Sequence, residues 1–287
     1  VTVSAALEKA VAYLAERSVP ETRANAEFLM AEALETTRTA ALLRGAQELT
    51  ARQDRHFWTM VTERGKRIPL AYVIGHQPFL GLKIVVTRDS LVPRPETEEL
   101  VLECERLLKA FKVATPKILE VGTGTGCVAI ALAQLLPSAT IFATDVSDKA
   151  LALAQKNALL HHVANRVRFV REDLFSGRQG LNGWADLLVS NPPYIPTKDL
   201  DSLEPEVLRE PRLALDGGKD GMDAIRAIVA MGPKMLKSGG SLALEIEARQ
   251  GSAVSKLLHA AGFEGVVVKK DAQQRDRFAL GRLPPEK

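Results

Sequence analysis

From Lys117 onward the chain repeats one pattern: a short apolar run, a polar or glycine-rich turn, then a stretch with helical spacing. Strands are predicted at Lys117–Val121, Thr140–Asp145, Arg166–Val170, Asp186–Ser190, Gly240–Ile246, Gly265–Lys270 and Arg277–Gly281. Helices are predicted between them at Val128–Leu136, Lys149–Leu160, Asp223–Leu236 and Ala248–Ala261. Strands separated by whole helices do not pair as hairpins, so this half is expected to be an α/β domain with a largely parallel sheet. The last two strands are joined by a polar segment too short for a crossover helix. That pair is expected to run antiparallel.

The first seventy-odd residues lack any strand pattern. Ser4 to Arg17 carries Leu7, Ala10, Val11 and Leu14 on one helical face. Pro20 stops that helix and can open the next, whose expected face is Phe28, Leu29, Ala31 and Leu34. Thr50 followed by Gln53 reads as a capping box for a third helix through Phe57, Trp58 and Val61. A small helical bundle follows, with Phe57 and Trp58 in its core. Between Pro78 and Pro93, β-branched residues around a polar turn suggest a hairpin joining two domains, and a helix is expected over Glu98 to Phe111. The expected division is a bundle over 1–75, a hairpin linker over 76–96 and a catalytic domain over 97–287.

Composition narrows the classes of function. A chain of 287 residues, 46% hydrophobic and 25% charged, suits a two-domain globular protein. No run of about 18 apolar residues suggests a membrane helix. The segment Val1 to Val11 lacks the order of a signal peptide. Two cysteines, Cys104 and Cys127, make neither a disulfide framework nor a metal site, and that usage suits a reducing, cytoplasmic compartment. No histidine has a partner at metal-ligand spacing, so His56, His76, His161 and His162 are given no role and no metal is expected. A net charge of +3 permits a nucleic-acid partner without requiring one.

The segment ILEVGTGTGCVAIALA, Ile118 to Ala133, places Gly122, Gly124 and Gly126 between a strand and a helix, with Thr123 and Thr125 among them. There the backbone must turn tightly and lie close to a ligand. A nicotinamide fingerprint wants a third glycine in the GxGxxG register, where Cys127 stands instead. GxGxG preceded by an acidic residue, here Glu120, resembles the first motif of S-adenosylmethionine methyltransferases. Asp145, ending the second strand, can accept both ribose hydroxyl hydrogens, and either cofactor would use it so. After the third strand, Glu172-Asp173-Leu174-Phe175 is placed to flank an adenine. Asp173 or the backbone would bond its edge, and Leu174 would pack its face. A plain acidic turn is the competing reading.

Asn191-Pro192-Pro193-Tyr194 directly follows the buried strand DLLVS. An amide nitrogen is a poor nucleophile because its lone pair is delocalised. A site that methylates planar nitrogen must hold both N–H hydrogens with acceptors and aim the nitrogen at a methyl donor. The Asn191 side-chain oxygen and the Pro192 carbonyl are two such acceptors, and the prolines restrict the loop's dihedrals. Tyr194 offers a ring against which a planar amide or base can stack. The tetrapeptide alone does not choose between an amide and a nucleobase.

The wider sequence resembles the HemK/PrmC family of release factor glutamine methyltransferases nearly end to end. Arg67-Ile-Pro-Leu-Ala-Tyr72 with Gly75 and Phe79 looks like that family's linker, and Val92-Pro-Arg-Pro-Glu-Thr-Glu98 like its VPRPETE signature. Glu210-Pro211, Ala214-Leu215, Gly217-Gly218 and Asp220-Gly221 resemble the loop after NPPY, and Arg275-Asp276-Arg277 the family's ending. Leu174 departs from it, since some members place an aromatic residue there. The resemblance implies a Rossmann-like, seven-stranded class I methyltransferase domain behind an amino-terminal bundle that recognises the substrate. It implies S-adenosylmethionine as cofactor and S-adenosylhomocysteine as product. The cofactor residues would be Glu120, Gly122, Thr123, Gly124, Thr125, Gly126, Asp145, Asp173, Leu174 and Asn191. Asn191, Pro192 and Tyr194 would be catalytic, and with Pro193 they would bind substrate. The substrate would be the GGQ glutamine of class I release factors, and the enzyme is expected to be monomeric, without membrane or nucleic-acid partners. Arg94, Glu96 and Glu98 would order the cofactor's amino-acid end or the hairpin, or form a structural knot of ion pairs. Three other readings compete: a ribosomal-protein glutamine methyltransferase, a nucleic-acid base methyltransferase with the same loop, and a non-catalytic protein that docks on the translation machinery.

Overall fold

Thr2 opens the first helix because its hydroxyl accepts the Ala5 amide at 3.3 Å, satisfying one otherwise unpaired N–H of the first turn. In a computed structural model, which describes residues 1–173 and 181–285, five helices follow in turn. They are α1 (Val3–Ala15), α2 (Thr22–Ala33), α3 (Arg38–Leu43), α4 (Ala51–Gly65) and α5 (Leu70–Ile74). Contacts divide the chain into two units, Val1–His76 with Glu204–Arg209, and Gln77–Leu203 with the residues from Glu210 onward.

The helical unit has a core of Val3, Leu7, Leu14, Leu29, Met30, Phe57 and Val61. The predicted capping box is present: Gln53 N–H donates to Thr50 Oγ1 at 3.3 Å, and Thr50 N–H donates to Gln53 Oε1 at 3.0 Å. Trp58 stands edge-on to Phe57 and to Tyr13. Of the expected face of α2, Leu29, Ala31 and Leu34 are buried, and Phe28 alone is not. Ala26, Leu29, Met30 and Ala33 point inward, while Phe28 is 42% exposed and lies under the Arg38 guanidinium. Ala26, Leu29, Met30 and Ala33 set an i, i+3, i+4, i+7 series, and Phe28, at i+2, falls off that stripe. A second feature escaped periodicity altogether. Glu206, far along the chain, belongs to this unit: Arg67 grips it with two bonds at 2.6 and 2.7 Å, and Arg64 reaches it at 2.8 Å. Arg64 is also held by Asn25 Oδ1 at 2.6 Å and the Ile68 carbonyl at 3.2 Å.

In the second unit, β1 (His76–Phe79) and β2 (Leu82–Val85) form the hairpin, although His76 is counted with the helices. Its turn lies at Leu80–Gly81, both in the left-handed region, and is not the polar turn that the sequence suggested between Pro78 and Pro93. A two-residue turn with both residues left-handed matches the strands' twist, and Leu-Gly lacks the usual Asn or Asp signal. Helix α6 (Pro95–Ala110) starts three residues before the expected Glu98, with Pro95 in its first turn, where a missing N–H costs nothing.

The remainder is β3 (Lys117–Val121), α7 (Cys127–Leu135), β4 (Thr140–Asp145), α8 (Asp148–Leu160), β5 (Val167–Arg171), β6 (Ala185–Ser190), α9 (Asp223–Met235), β7 (Leu236–Glu245), α10 (Gly251–Ala260), β8 (Glu264–Lys270) and β9 (Asp276–Arg282). One sheet takes all seven strands in the order β5-β4-β3-β6-β7-β9-β8. It is the Rossmann-like α/β sheet that was expected. Every pairing from β5 to β7 is parallel, and β9 runs antiparallel to both its neighbours. Helix α7 is buried over Cys127 to Ala133, so it is apolar on all faces and cannot shift without opening the core. Both thiols are buried, and burial raises the Cys127 thiol to about 12, which keeps it a neutral, inert group. Among the described residues no helix is long and apolar enough to cross a membrane.

Candidate active site

The order of the sheet reverses between β3 and β6, and in open α/β sheets ligands collect outside the carboxyl ends of the strands at that point. Val121 and Ser190 are register partners, so the chain leaves both strands at one level. From β3 comes the glycine loop, from β6 the Asn191-Pro192-Pro193-Tyr194 loop. Asp145 ends β4 beside them, and Asp173 follows β5. The sequence-predicted residues therefore gather along one edge of four adjacent strands. Leu174, assigned to the adenine, lies outside the described residues, as does Phe175.

The glycine loop is built by its own hydrogen bonds. Gly122 and Thr123 N–H both donate to the Thr144 carbonyl at 2.9 Å, and Gly126 N–H donates to the Thr123 carbonyl at 2.8 Å. Gly124 has φ +54 with nothing near the position of a Cβ, so conformation and an open face select glycine there. At Gly126 a Cβ would stand 3.0 Å from that of Ala154, so close packing of α8 adds a second reason. Asp145 is half-buried; its carboxylate accepts Gly124 N–H at 2.8 Å and Ser147 N–H at 3.0 Å. Ser147 is the N-cap of α8 and accepts Ala150 N–H at 3.2 Å. A carboxylate has about four acceptor positions, so two remain for hydroxyl groups.

Glu120 is buried beneath this loop and accepts the Thr123 hydroxyl at 2.7 Å. Burial, with a smaller push from the Asp145 charge, raises its carboxyl to about 8 against the opposing Thr123 bond. At neutral pH it is a neutral acid next to open backbone. A positively charged ligand would favour its ionised form.

Several participants were not legible in the sequence. Asn157 on α8 is fully buried and makes three bonds at 2.9 Å, to Val85 N–H, to the Val85 carbonyl and to the Thr125 carbonyl. It ties β2 to the glycine loop. On the other loop, Asn191 Nδ2 donates to Thr97 Oγ1 at 3.0 Å, Thr97 donates to Glu245 at 2.7 Å, and the Tyr194 hydroxyl donates to Glu245 at 3.3 Å. Gln250 Nε2 donates to the Tyr194 carbonyl at 3.0 Å, which fixes the loop's far end. Nothing in spacing or composition marks Asn157, Glu245 or Gln250 beforehand; only the tertiary fold brings them here.

The signature residues sort by contact. Glu98 accepts Leu80 N–H at 2.8 Å and so holds the hairpin turn. Arg94 pairs with the buried Glu210, which also accepts Val92 N–H at 2.9 Å. Glu96 meets Arg275 at 3.1 Å. Glu210 and Arg275 come from two other stretches singled out in the sequence, so these motifs find one another in space.

Two family models match the chain. The PrmC N-terminal domain covers residues 5–75, and the methyltransferase small domain covers residues 102–216. A release factor glutamine methyltransferase from Moorella thermoacetica is 41% identical over 283 residues, covering 97% of this chain and 98% of that one. Its counterpart from Deinococcus radiodurans is 39% identical over 277 residues, covering 96% of each. The chain belongs to the release factor glutamine methyltransferase family. With that membership it is an S-adenosylmethionine-dependent methyltransferase. A solved methyltransferase from Pyrococcus furiosus shares the fold, at 20% identity and a TM-score of 0.52 over 71% of this chain and 90% of that one. The residues present fit the family's cofactor: an open glycine loop, a carboxylate with spare acceptor positions, and a buried acid beside them.

Proposed function

We propose that this enzyme methylates the side-chain nitrogen of the GGQ glutamine in class I peptide chain release factors, giving N5-methylglutamine and S-adenosylhomocysteine. The observation that carries the reading is the shared level of Val121 and Ser190 in the sheet. Because of it, the loop suited to hold the cofactor and the loop suited to hold a planar amide open onto the same edge.

In this reading Gly122 to Gly126 receive the cofactor against bare backbone, Asp145 accepts its ribose hydroxyls, and Glu120 lies beneath. When bound, the cofactor supplies an electrophilic methyl group. Asn191 Oδ1 and the Pro192 carbonyl accept the two hydrogens of the glutamine amide and so aim its nitrogen. One of those hydrogens leaves as a proton once the nitrogen carries the methyl group. Tyr194, its hydroxyl donating to Glu245, presents a fixed ring to the planar amide. Alignment and exclusion of water supply much of the rate, with no covalent intermediate. The helical unit over residues 1–75 recruits the release factor. The enzyme works in the cytoplasm as a monomer and needs no nucleic acid.

The test is Asn191→Ala. Single-turnover transfer at saturating cofactor is expected to fall at least about a hundredfold, or ~2.7 kcal/mol of transition-state stabilisation. Cofactor affinity should change far less. Transfer at the wild-type rate would remove Asn191 from the mechanism.

A further inference from the structure

An asparagine side chain offers an acceptor on one side and a donor on the other, and only one orientation serves the mechanism above. If Asn191 turned its NH₂ toward the substrate, two donors would face each other and the amide would not be held. What sets the orientation is the environment behind Asn191. Thr97 lies in the first turn of α6 and is buried; Glu245 ends β7 and is 1% exposed. An ionised carboxylate accepts and never donates. The single hydroxyl hydrogen of Thr97 is therefore spent on Glu245, at 2.7 Å. Toward Asn191 the same oxygen can only accept, which it does from Nδ2 at 3.0 Å. The remaining atom, Oδ1, is turned the other way.

We infer that Thr97 and Glu245 are positioning residues that hold the Asn191 amide with its oxygen toward the substrate. The inference rests on the reading of Asn191 as the acceptor for the substrate amide, and it explains why a threonine stands inside the VPRPETE segment. The neighbouring Glu96 and Glu98 are occupied by Arg275 and the hairpin. Thr97 alone of the three reaches the NPPY loop.

The relay has a direction that depends on one proton. Groups facing Glu245 are Thr97 and Glu96 on α6, Tyr194 on the loop, Arg277 on β9 and Cys127 at the start of α7. Burial outweighs the help of Thr97 and Arg277 and raises the Glu245 carboxyl to about 7. Once protonated, Glu245 can donate to Thr97. Thr97 can then donate to Asn191 Oδ1, and the amide turns over. Because the active form is the ionised one, activity is present above this value and is lost as pH falls through it.

Two readouts test the inference together. The first is transfer to the release factor in a single turnover. Thr97→Val, nearly the same in shape, should slow transfer about tenfold or more while leaving cofactor affinity within about twofold, and Thr97→Ser should recover most of the rate. In wild type the transfer rate should fall on the acid side of about pH 7, and Glu245→Gln, which has no such proton to gain, should lack that limb. The second readout needs no substrate. The Asn191 side-chain amide resonance, identified by its loss in Asn191→Ala, should shift in Thr97→Val and return in Thr97→Ser. Wild-type transfer by Thr97→Val, or an Asn191 resonance that does not move in it, overturns the inference. If wild type methylates no glutamine, the functional reading fails, and the resonance still decides whether the relay exists.

Discussion

Replacing Asn157 with alanine removes one buried side chain that satisfies three backbone groups, on the partly buried Val85 and the buried Thr125. Val85 N–H, the Val85 carbonyl and the Thr125 carbonyl each lose a partner at 2.9 Å. The position is 0% exposed, so solvent does not replace those bonds at the surface. A buried polar group left unpaired costs roughly 1–3 kcal/mol, and water entering the vacated space recovers part of that, so about 3 kcal/mol is expected for the set. The unit that unfolds is the one holding β2, α8 and the glycine loop. Its stability is best read by urea denaturation from Trp184, which stands edge-on to Phe142 at 5.0 Å within that unit. A Trp58→Phe background silences the tryptophan of the helical unit. Because the Thr125 carbonyl is released, cofactor affinity should weaken in the same variant. A loss below ~1 kcal/mol with unchanged cofactor affinity would refute the reasoning, since it would mean that these bonds carry no net free energy.

Asp145→Ala should weaken cofactor binding by roughly 10–100-fold, because hydrogen bonds to a charged acceptor are lost along with the Gly124 anchor; unchanged affinity by calorimetry would detach Asp145 from the ribose. Glu120 predicts a pH dependence. Its carboxyl is neutral below about 8 in the free protein, and a bound cationic cofactor favours the ionised form. Binding should therefore release a proton below pH 8, and affinity should rise with pH by up to about tenfold per unit before levelling off. Calorimetry in buffers of different ionisation enthalpy measures that proton directly, and no release at pH 7 would contradict the assignment.

The parts of the fold that sequence reading reached are those governed by local rules. Strand and helix alternation is a matter of periodicity, and the capping box at Thr50 is a matter of four consecutive residues. The glycine loop announces itself because left-handed backbone at Gly124 selects one residue type. What it missed depends on partners far apart in the chain. The hairpin turn at Leu80–Gly81 lacks a polar signal because Glu98, eighteen residues on, supplies the acceptor for its N–H. Glu206 is tied to the helical unit by Arg64 and Arg67, and no spacing rule links Arg67 to a residue 139 positions on. Phe28 was misplaced because it falls off the buried stripe of its helix, where the Arg38 guanidinium covers its ring. At the site, the glycine loop, Asp145 and NPPY were visible as motifs. Asn157 and Glu245 were not, since a buried polar residue inside an apolar run looks like any other until its partners are known.

The central claim is tested most directly by incubating the enzyme with purified class I release factor and S-adenosylmethionine labelled in its methyl group. Peptide mass spectrometry then locates the label. The account predicts a single added methyl group on the side-chain nitrogen of the GGQ glutamine, absent when Asn191→Ala replaces the wild-type enzyme. Label on a different residue, or an unlabelled release factor beside a labelled ribosomal protein or nucleic acid, would contradict it.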